Sequence, residues 1–322
     1  MLKLHRGLAA VAAVAGLLLG APAPAQTTPV KVITGFAPGG SVDSLARLVA
    51  DQLQTTLGRT VVVENRTGAA GRLAVEQVKN AAPDGDTLLV APQGPMTLFP
   101  HVFKSLRFDP TKDFTPITRL AVGDYALTVA STITARDAAG LRAALKAAGD
   151  KTSFASPGAG TLPHFLGITV GKELGIPLTH VPYRGSMPAL LDLVAGVVPM
   201  AVTPVTEALA LHKAGKLRIL ATSGESRSSF VEGVPTFKEF GIDIDVPLWF
   251  GLYGPAHMPP ASAEKIRAAV TAGLRTPAAK DRVAVLGLVP APTTEAELAR
   301  LQARELALWG PVVQAAGFTP ND

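Results

Sequence analysis

The chain of 322 residues contains no cysteine. Disulfides, thiolate metal sites and a cysteine nucleophile are thereby excluded. Stability must come from the core alone, and a chain of this length buries enough surface for that. Aromatic residues make up only 5%. No Lys/Arg block stands out either, so a nucleic-acid surface is not expected. His101, His164, His180, His212 and His257 are scattered, with no i, i+4 pair. A metal site is therefore not expected, nor any other cofactor. The sequence lacks a G-x-S-x-G elbow and a G-x-x-x-x-G-K-[ST] phosphate loop, the signatures of two large enzyme classes. Gly158-Ala-Gly160 fails as a dinucleotide loop, because Pro163 stands where a glycine belongs. Ser156 and His164 are candidates for a nucleophile and its base. Proline and glycine lie between them and no acid is tied to them, so the pair is set aside.

What the chain does have begins at its start. Lys3 and Arg6 precede an apolar run from Leu8 to Gly20, followed by Ala21-Pro-Ala-Pro-Ala25. This is the pattern of a cleavable secretory leader over residues 1–25, cut before Gln26. The apolar run is too short for a membrane span, which needs about 20 residues. A periplasmic location is expected. The formal charge of +5 falls to +3 when Lys3 and Arg6 leave with the leader. A mildly basic chain suits an anionic ligand better than a cationic one. The remaining length suggests about two domains.

Alternating β-branched segments and helical spacing then repeat along the chain. Val30 to Thr34 reads as a strand, Ser41 to Leu57 as a helix ended by Gly58, and Thr60 to Glu64 as a strand. A helix follows from about Leu73 to Ala81, and a strand from Thr87 to Ala91. A second block of the same kind starts near Ala126 and runs through strands at 152–155, 178–182, 200–203 and 217–221. Strands that alternate with helices through short links imply parallel sheets with helices on their faces. After a strand at 249–253, the chain ends in three amphipathic helices, too few strands for a third domain. The expected organisation is α/β with two lobes. The first lobe is 26–125 plus 246–322, and the second is an inserted lobe at 126–245, with a hinge where the chain crosses twice.

Two glycine-rich loops follow strands and open helices. One is Phe36-Ala37-Pro38-Gly39-Gly40; the other runs from Ser156 through Gly158 and Gly160 to Thr161. Ligands of open α/β sheets bind beyond the carboxyl ends of strands. Bare backbone N–H groups and a helix N-terminus favour an anion there. One such loop is an ordinary turn as often as not; two in matching positions point to a site that holds either both ends of a diacid or one carboxylate between them. Asp43, in the first turn of its helix, reads either as dipole compensation or as an acceptor in the cleft. Tyr183 and Arg184 read either as an exposed tip or as cleft lining. Trp249 and Phe250 read as core or hinge.

Taken in order, a series of short motifs resembles the substrate-binding proteins of tripartite tricarboxylate transporters, the Bug family. They are Phe36-Ala-Pro-Gly-Gly-Ser-Val-Asp43, Val62-Val-Glu-Asn-Arg66 with Gly68-Ala-Ala-Gly71, Ala82-Pro-Asp-Gly85 and Asp113-Phe-Thr-Pro116. Ser156 to His164, His180-Val-Pro-Tyr-Arg-Gly185, Ala214-Gly-Lys-Leu-Arg218, Val234-Pro-Thr236 and Trp249-Phe-Gly251 follow. The series covers nearly the whole chain beyond the leader. The resemblance implies a two-lobed periplasmic-binding-protein fold of type II kind that closes on a carboxylate and has no enzymatic activity. It implies ligand contacts from Phe36 to Gly40 and Asp43 in the first lobe. In the second they are Ser156, Gly158, Gly160, Thr161, His164 and Tyr183. It further implies integral membrane permease subunits as partners of a monomeric receptor.

The sequence departs from the family pattern at Gln93, where small hydroxyl residues are usual, and at Thr203, where an aspartate is common. Both are expected in the walls of the site. Thr67 and Asp86 also replace the usual residues. Loss of an acid at 203 removes a partner for a ligand's ammonium group, so a plain carboxylate is expected rather than an amino acid. Other roles for such a chain are a sensor that presents its ligand to a membrane kinase and a small-molecule hydrolase.

Overall fold

The computed structural model describes residues 28–147, 152–243 and 245–318. The leader expected at 1–25 lies outside them. In the first lobe the chain runs β1 (Val30–Thr34), α1 (Ser41–Leu57), β2 (Val61–Asn65), α2 (Arg72–Lys79) and β3 (Thr87–Pro92). The short helices α3 (Gln93–Thr97) and α4 (Phe99–Val102) and then β4 (Phe114–Gly123) complete that passage. The second lobe holds β5 (Tyr125–Ala130), α5 (Ala138–Ala147), β6 (Ser153–Ser156), α6 (Leu162–Leu174), β7 (Thr179–Pro182) and α7 (Ser186–Val194). It continues with β8 (Met200–Pro204), α8 (Val205–Lys213), β9 (Leu217–Thr222) and α9 (Phe237–Phe240). The chain then returns through β10 (Leu248–Pro255), α10 (Pro260–Leu274), α11 (Pro277–Val285), β11 (Val289–Pro290) and α12 (Glu295–Ala315). The first sheet has the order β11-β4-β10-β3-β1-β2, and the second β7-β6-β8-β5-β9.

Local chemistry accounts for these elements. Val30, Val32 and Ile33 of β1 are all inaccessible, as befits a parallel strand covered on both faces. One stripe of α1 is buried, through Val42, Leu45, Leu48, Val49 and Leu53. Gly58 ends that helix at φ 63°, and its N–H caps the Gln54 carbonyl. Thr294 and Glu297 form a reciprocal capping box at the start of α12. The sheets are mixed rather than purely parallel. β1, β2 and β3 run parallel, but β10 is antiparallel to both β3 and β4. In the second sheet, β5 is antiparallel to β8 and β9. β4 is a strand that the alternation pattern does not signal. Pro116 interrupts it, and register shifts against β10 absorb the proline opposite Tyr253.

Two passes of backbone join the lobes, and the second-lobe residue Ser223 ties them together. Only Asp124 separates β4 from β5. The buried Ser223 hydroxyl accepts the Tyr125 N–H at 2.9 Å and donates to the Val246 carbonyl at 2.7 Å. Its own N–H and carbonyl pair with Tyr125 and Val246 as well. The return strand is anchored by Gln93. The Gln93 amide donates to the Pro247 carbonyl at 2.9 Å and accepts the Trp249 N–H at 2.6 Å. The Trp249 indole then donates to Glu305 of α12 at 2.7 Å. Beyond α12, the Phe318 ring meets His164 and Phe165 of α6 edge-on, at 5.6 and 5.3 Å. A residue following the first lobe's last helix therefore packs on the second lobe.

Candidate ligand-binding cleft

The two sheets share a topological feature. The chain steps from β1 out to β2, then returns past β1 to β3. Right-handed crossovers place α1 and α2 on opposite faces, which opens a crevice between the carboxyl ends of β1 and β3. In the second sheet it steps from β6 out to β7 and returns past β6 to β8. The matching crevice lies between β6 and β8. Phe36–Gly40 and Gln93 follow the strands of the first crevice; Ser156–Thr161 and Thr203 mark the second. Helices α1, α2, α6, α7 and α8 all begin at these carboxyl ends, so their partial positive charges gather around the two crevices.

In the first loop, Ala37, Pro38, Gly39 and Gly40 are exposed and Phe36 is half-buried. Asp43 beneath them is only 2% exposed. Its carboxylate accepts the Gly39 N–H at 2.9 Å and two hydrogen bonds from Arg47, at 2.9 and 3.1 Å. Asn65 donates to it at 2.9 Å and also to the Phe36 carbonyl at 2.9 Å. Burial alone raises an acid, but the bonds from Arg47, Gly39 and Asn65 outweigh it and hold Asp43 below the ordinary range. Asp43 is thus a brace that shapes the loop, with its charge met by Arg47. The loop also needs glycine at its base. A Cβ on Gly35 would stand 2.5 Å from the Gly71 Cα, so the backbones of the two turns touch.

In the second loop, the buried Ser156 hydroxyl donates to the Gly158 carbonyl at 3.0 Å and lies 2.7 Å from His180 Nε2. Thr161 donates to the same Gly158 carbonyl at 2.7 Å. The Gly160 N–H donates to His164 Nδ1 at 3.2 Å. The His164 and His180 rings stack with centroids 3.7 Å apart. Burial lowers His164 to about 4. Burial, then the neighbouring His164 ring, lowers His180 to about 3. Both are neutral at pH 7. A neutral ring is what the His164 bond requires, since its Nδ1 accepts; with the Ser156 proton given to Gly158, His180 is the donor at Nε2. The serine that meets a histidine therefore meets His180, not His164. An imidazole so weakly basic does not activate a hydroxyl at neutral pH; it holds the loop.

His180 escaped the reading of local spacing because it reaches Ser156 across the β6–β7 pairing, 24 residues away. Tyr183 is half-buried, and its hydroxyl donates to Asp192 of α7 at 2.7 Å. Burial, then that carboxylate, pushes the phenol up to about 12. Its hydroxyl is thus spent inside the second lobe. Gln93 sits at the first crevice, but its amide is committed to the hinge strand. This departure from the family pattern serves the crossing rather than presenting a free amide to a ligand. Thr203 is inaccessible, and its hydroxyl has no partner among the described residues; the same holds for Thr34 at the end of β1. Among the described residues, no group of three or more potential metal ligands gathers, and no helix is long and apolar enough to cross a membrane.

Residues 45–318 match the profile of the family described as tripartite tricarboxylate transporter family receptor. The chain is 30% identical to protein BugT of Bordetella pertussis over 308 residues, 93% of each chain. It resembles MatC of Rhodopseudomonas palustris, solved with bound malate, at 31% identity and a TM-score of 0.80, covering 88% of this chain and 98% of that one. A second R. palustris protein, solved with adipate, superposes with a TM-score of 0.83 at 27% identity, covering 91% of this chain and 98% of that one.

Proposed function

Since the chain belongs to the tripartite tricarboxylate transporter receptor family, whose members bind solutes and are not enzymes, we propose that it captures a small organic carboxylate between its two lobes. The observation that carries this reading is the pair of crevice loops, one per lobe, each at the N-terminus of a helix. The exposed Ala37 and Gly40 offer backbone N–H groups from one side, while the Gly39 N–H is held by Asp43. In the braced loop from Ser156 to Thr161 the Gly158 and Gly160 N–H groups are engaged internally, which leaves those of Ala159 and Thr161 for the other side. The relatives solved with malate and adipate lend support, since both ligands are organic acids.

Ligand contacts are proposed at Phe36, Ala37, Pro38, Gly39, Gly40, Ser156, Gly158, Gly160 and Thr161, with Thr203 at the base. Asp43 and His164 support these loops from behind. An amino-acid ligand fits poorly, because Asp43 is already neutralised by Arg47 and position 203 is a threonine. The proposed setting is the periplasm, after removal of residues 1–25. There a monomeric receptor delivers its ligand to integral membrane permease subunits.

A thermal-shift series with malate, adipate, citrate, benzoate, nicotinate and aspartate tests the reading. A bound acid at a hundredfold excess over its Kd adds about 2.7 kcal/mol of stability. A stabilising shift with one or more of the plain acids and none with aspartate is the expected result. The same melting temperature in all six solutions would overturn carboxylate capture.

A further inference from the structure

Arg72 is the first residue of α2. A basic side chain there opposes the helix macrodipole, so helix stability does not explain it. The turn before it is held in the left-handed region by two non-glycine residues, Ala69 at φ 47° and Ala70 at φ 56°. The Arg72 Nε donates to the Ala69 carbonyl at 3.1 Å. The guanidinium carbon lies 3.9 Å from the centroid of the Phe103 ring. Phe103 is in turn edge-on to Phe99, with centroids 5.0 Å apart. One hydrogen bond and one aromatic platform thus fix the plane of this half-buried cation.

Its place is between the two crevice loops. A Cβ on Gly71 would lie 3.3 Å from the Phe36 ring, and a Cβ on Gly160 would lie 3.9 Å from the tip of Phe103. Phe36, Gly71, Arg72, Phe103 and Gly160 therefore form a line of neighbours from the first-lobe loop to the second-lobe loop. Arg47, the cation of α1, is neutralised by Asp43. Arg72 has no such partner: among the described residues, it hydrogen-bonds the Ala69 carbonyl and stacks on the Phe103 ring, with no carboxylate in ion-pair range. Stacking on an aromatic face leaves the in-plane N–H groups free, and a guanidinium edge matches a carboxylate.

We propose that Arg72 determines specificity, by pairing with a second, remote carboxylate of a ligand whose first carboxylate is held by the crevice loops. The ligand class is then a dicarboxylate rather than a monocarboxylate. This inference rests on the carboxylate reading given above.

The test is calorimetric titration with length-matched acids: succinate, adipate and suberate against butyrate, hexanoate and octanoate. The wild-type chain is expected to bind at least one diacid about tenfold or more tightly than its monoacid partner. Arg72→Gln should remove most of that preference while leaving monoacid affinity unchanged. Arg72→Lys should retain part of it, because the charge remains and the planar edge is lost. Raising salt should shrink the preference in the wild type and not in Arg72→Gln. An unchanged preference in Arg72→Gln overturns the proposal, and so does an equal loss for diacids and monoacids, which would mark damage to the loop. Equal binding of both series by the wild type refutes the role of Arg72 and leaves carboxylate capture standing. Binding of neither series by the wild type removes carboxylate capture for these acids and this role with it.

Discussion

Glu305 and the His164–His180 stack are buried ionisable groups whose effects on stability run in opposite directions with pH. Burial raises Glu305 to about 7, against the pull of hydrogen bonds from Trp249 and Thr97. The folded state therefore prefers its protonated form. That contribution is complete below the unfolded value near 4.5 and is lost as pH rises through 7. The histidines are depressed to about 4 and about 3. Their contribution is complete above the unfolded value near 6.5 and is lost as pH falls towards the folded values. Glu305→Gln should stabilise the protein by about 2 kcal/mol at pH 8 and by little at pH 5. His180→Gln keeps a donor for Ser156 and should flatten the loss of stability between pH 6.5 and 4. Urea unfolding at a series of pH values checks both. A Glu305→Gln effect of the same size at every pH would rule out its titration as the cause. None of these roles was legible from neighbouring residues. Asp43 was visible as an acid in a first helical turn, yet its partner Asn65 lies 22 positions on. Gln93 was visible as a departure, but its engagement with Pro247 spans 154 positions.

At the level of elements, the two crossings are bridged by a side chain that no periodicity marks. Ser223→Ala deletes the hydroxyl between the two crossings and leaves the Tyr125 N–H and the Val246 carbonyl each short of a partner. A loss of about 1–3 kcal/mol is expected, measured by chemical denaturation, and a change below about 0.3 kcal/mol would contradict the stapling role. Gly35→Ala should also be destabilising, because its Cβ meets Gly71 backbone rather than a movable side chain. Elements with a strong period were readable in advance: β1 and α1 with its Gly58 cap lie close to where spacing puts them. β4 was not, because Pro116, Thr118 and Arg119 break its apolar alternation and its pairing is with a strand far along the chain. The antiparallel course of β5 and β10 was hidden for a related reason. Strand direction is decided by long-range pairing, and a βαβ rhythm reports only neighbouring elements. The glycine loops were legible as residue types; their alignment at two matching crevices required the sheet order.

For the molecule as a whole, capture between lobes predicts a change of shape. Small-angle scattering should show a smaller radius of gyration on addition of an acid that also raises the melting temperature. An unchanged radius with a bound acid would mean that the lobes are already set before binding. Motion between them must work against the paired crossings at Ser223 and the contact of Phe318 with α6. The adjacency of those crossings has an evolutionary side. The chain makes its two crossings at one spot, so with lobe boundaries there, two cuts near Asp124 and Val246 would delimit the second lobe as one continuous stretch of sequence. Recombination between related genes would then exchange one wall of the proposed cleft while the other is inherited intact. Diversification by such exchange leaves a detectable trace: the two lobes of one receptor would show different closest kin.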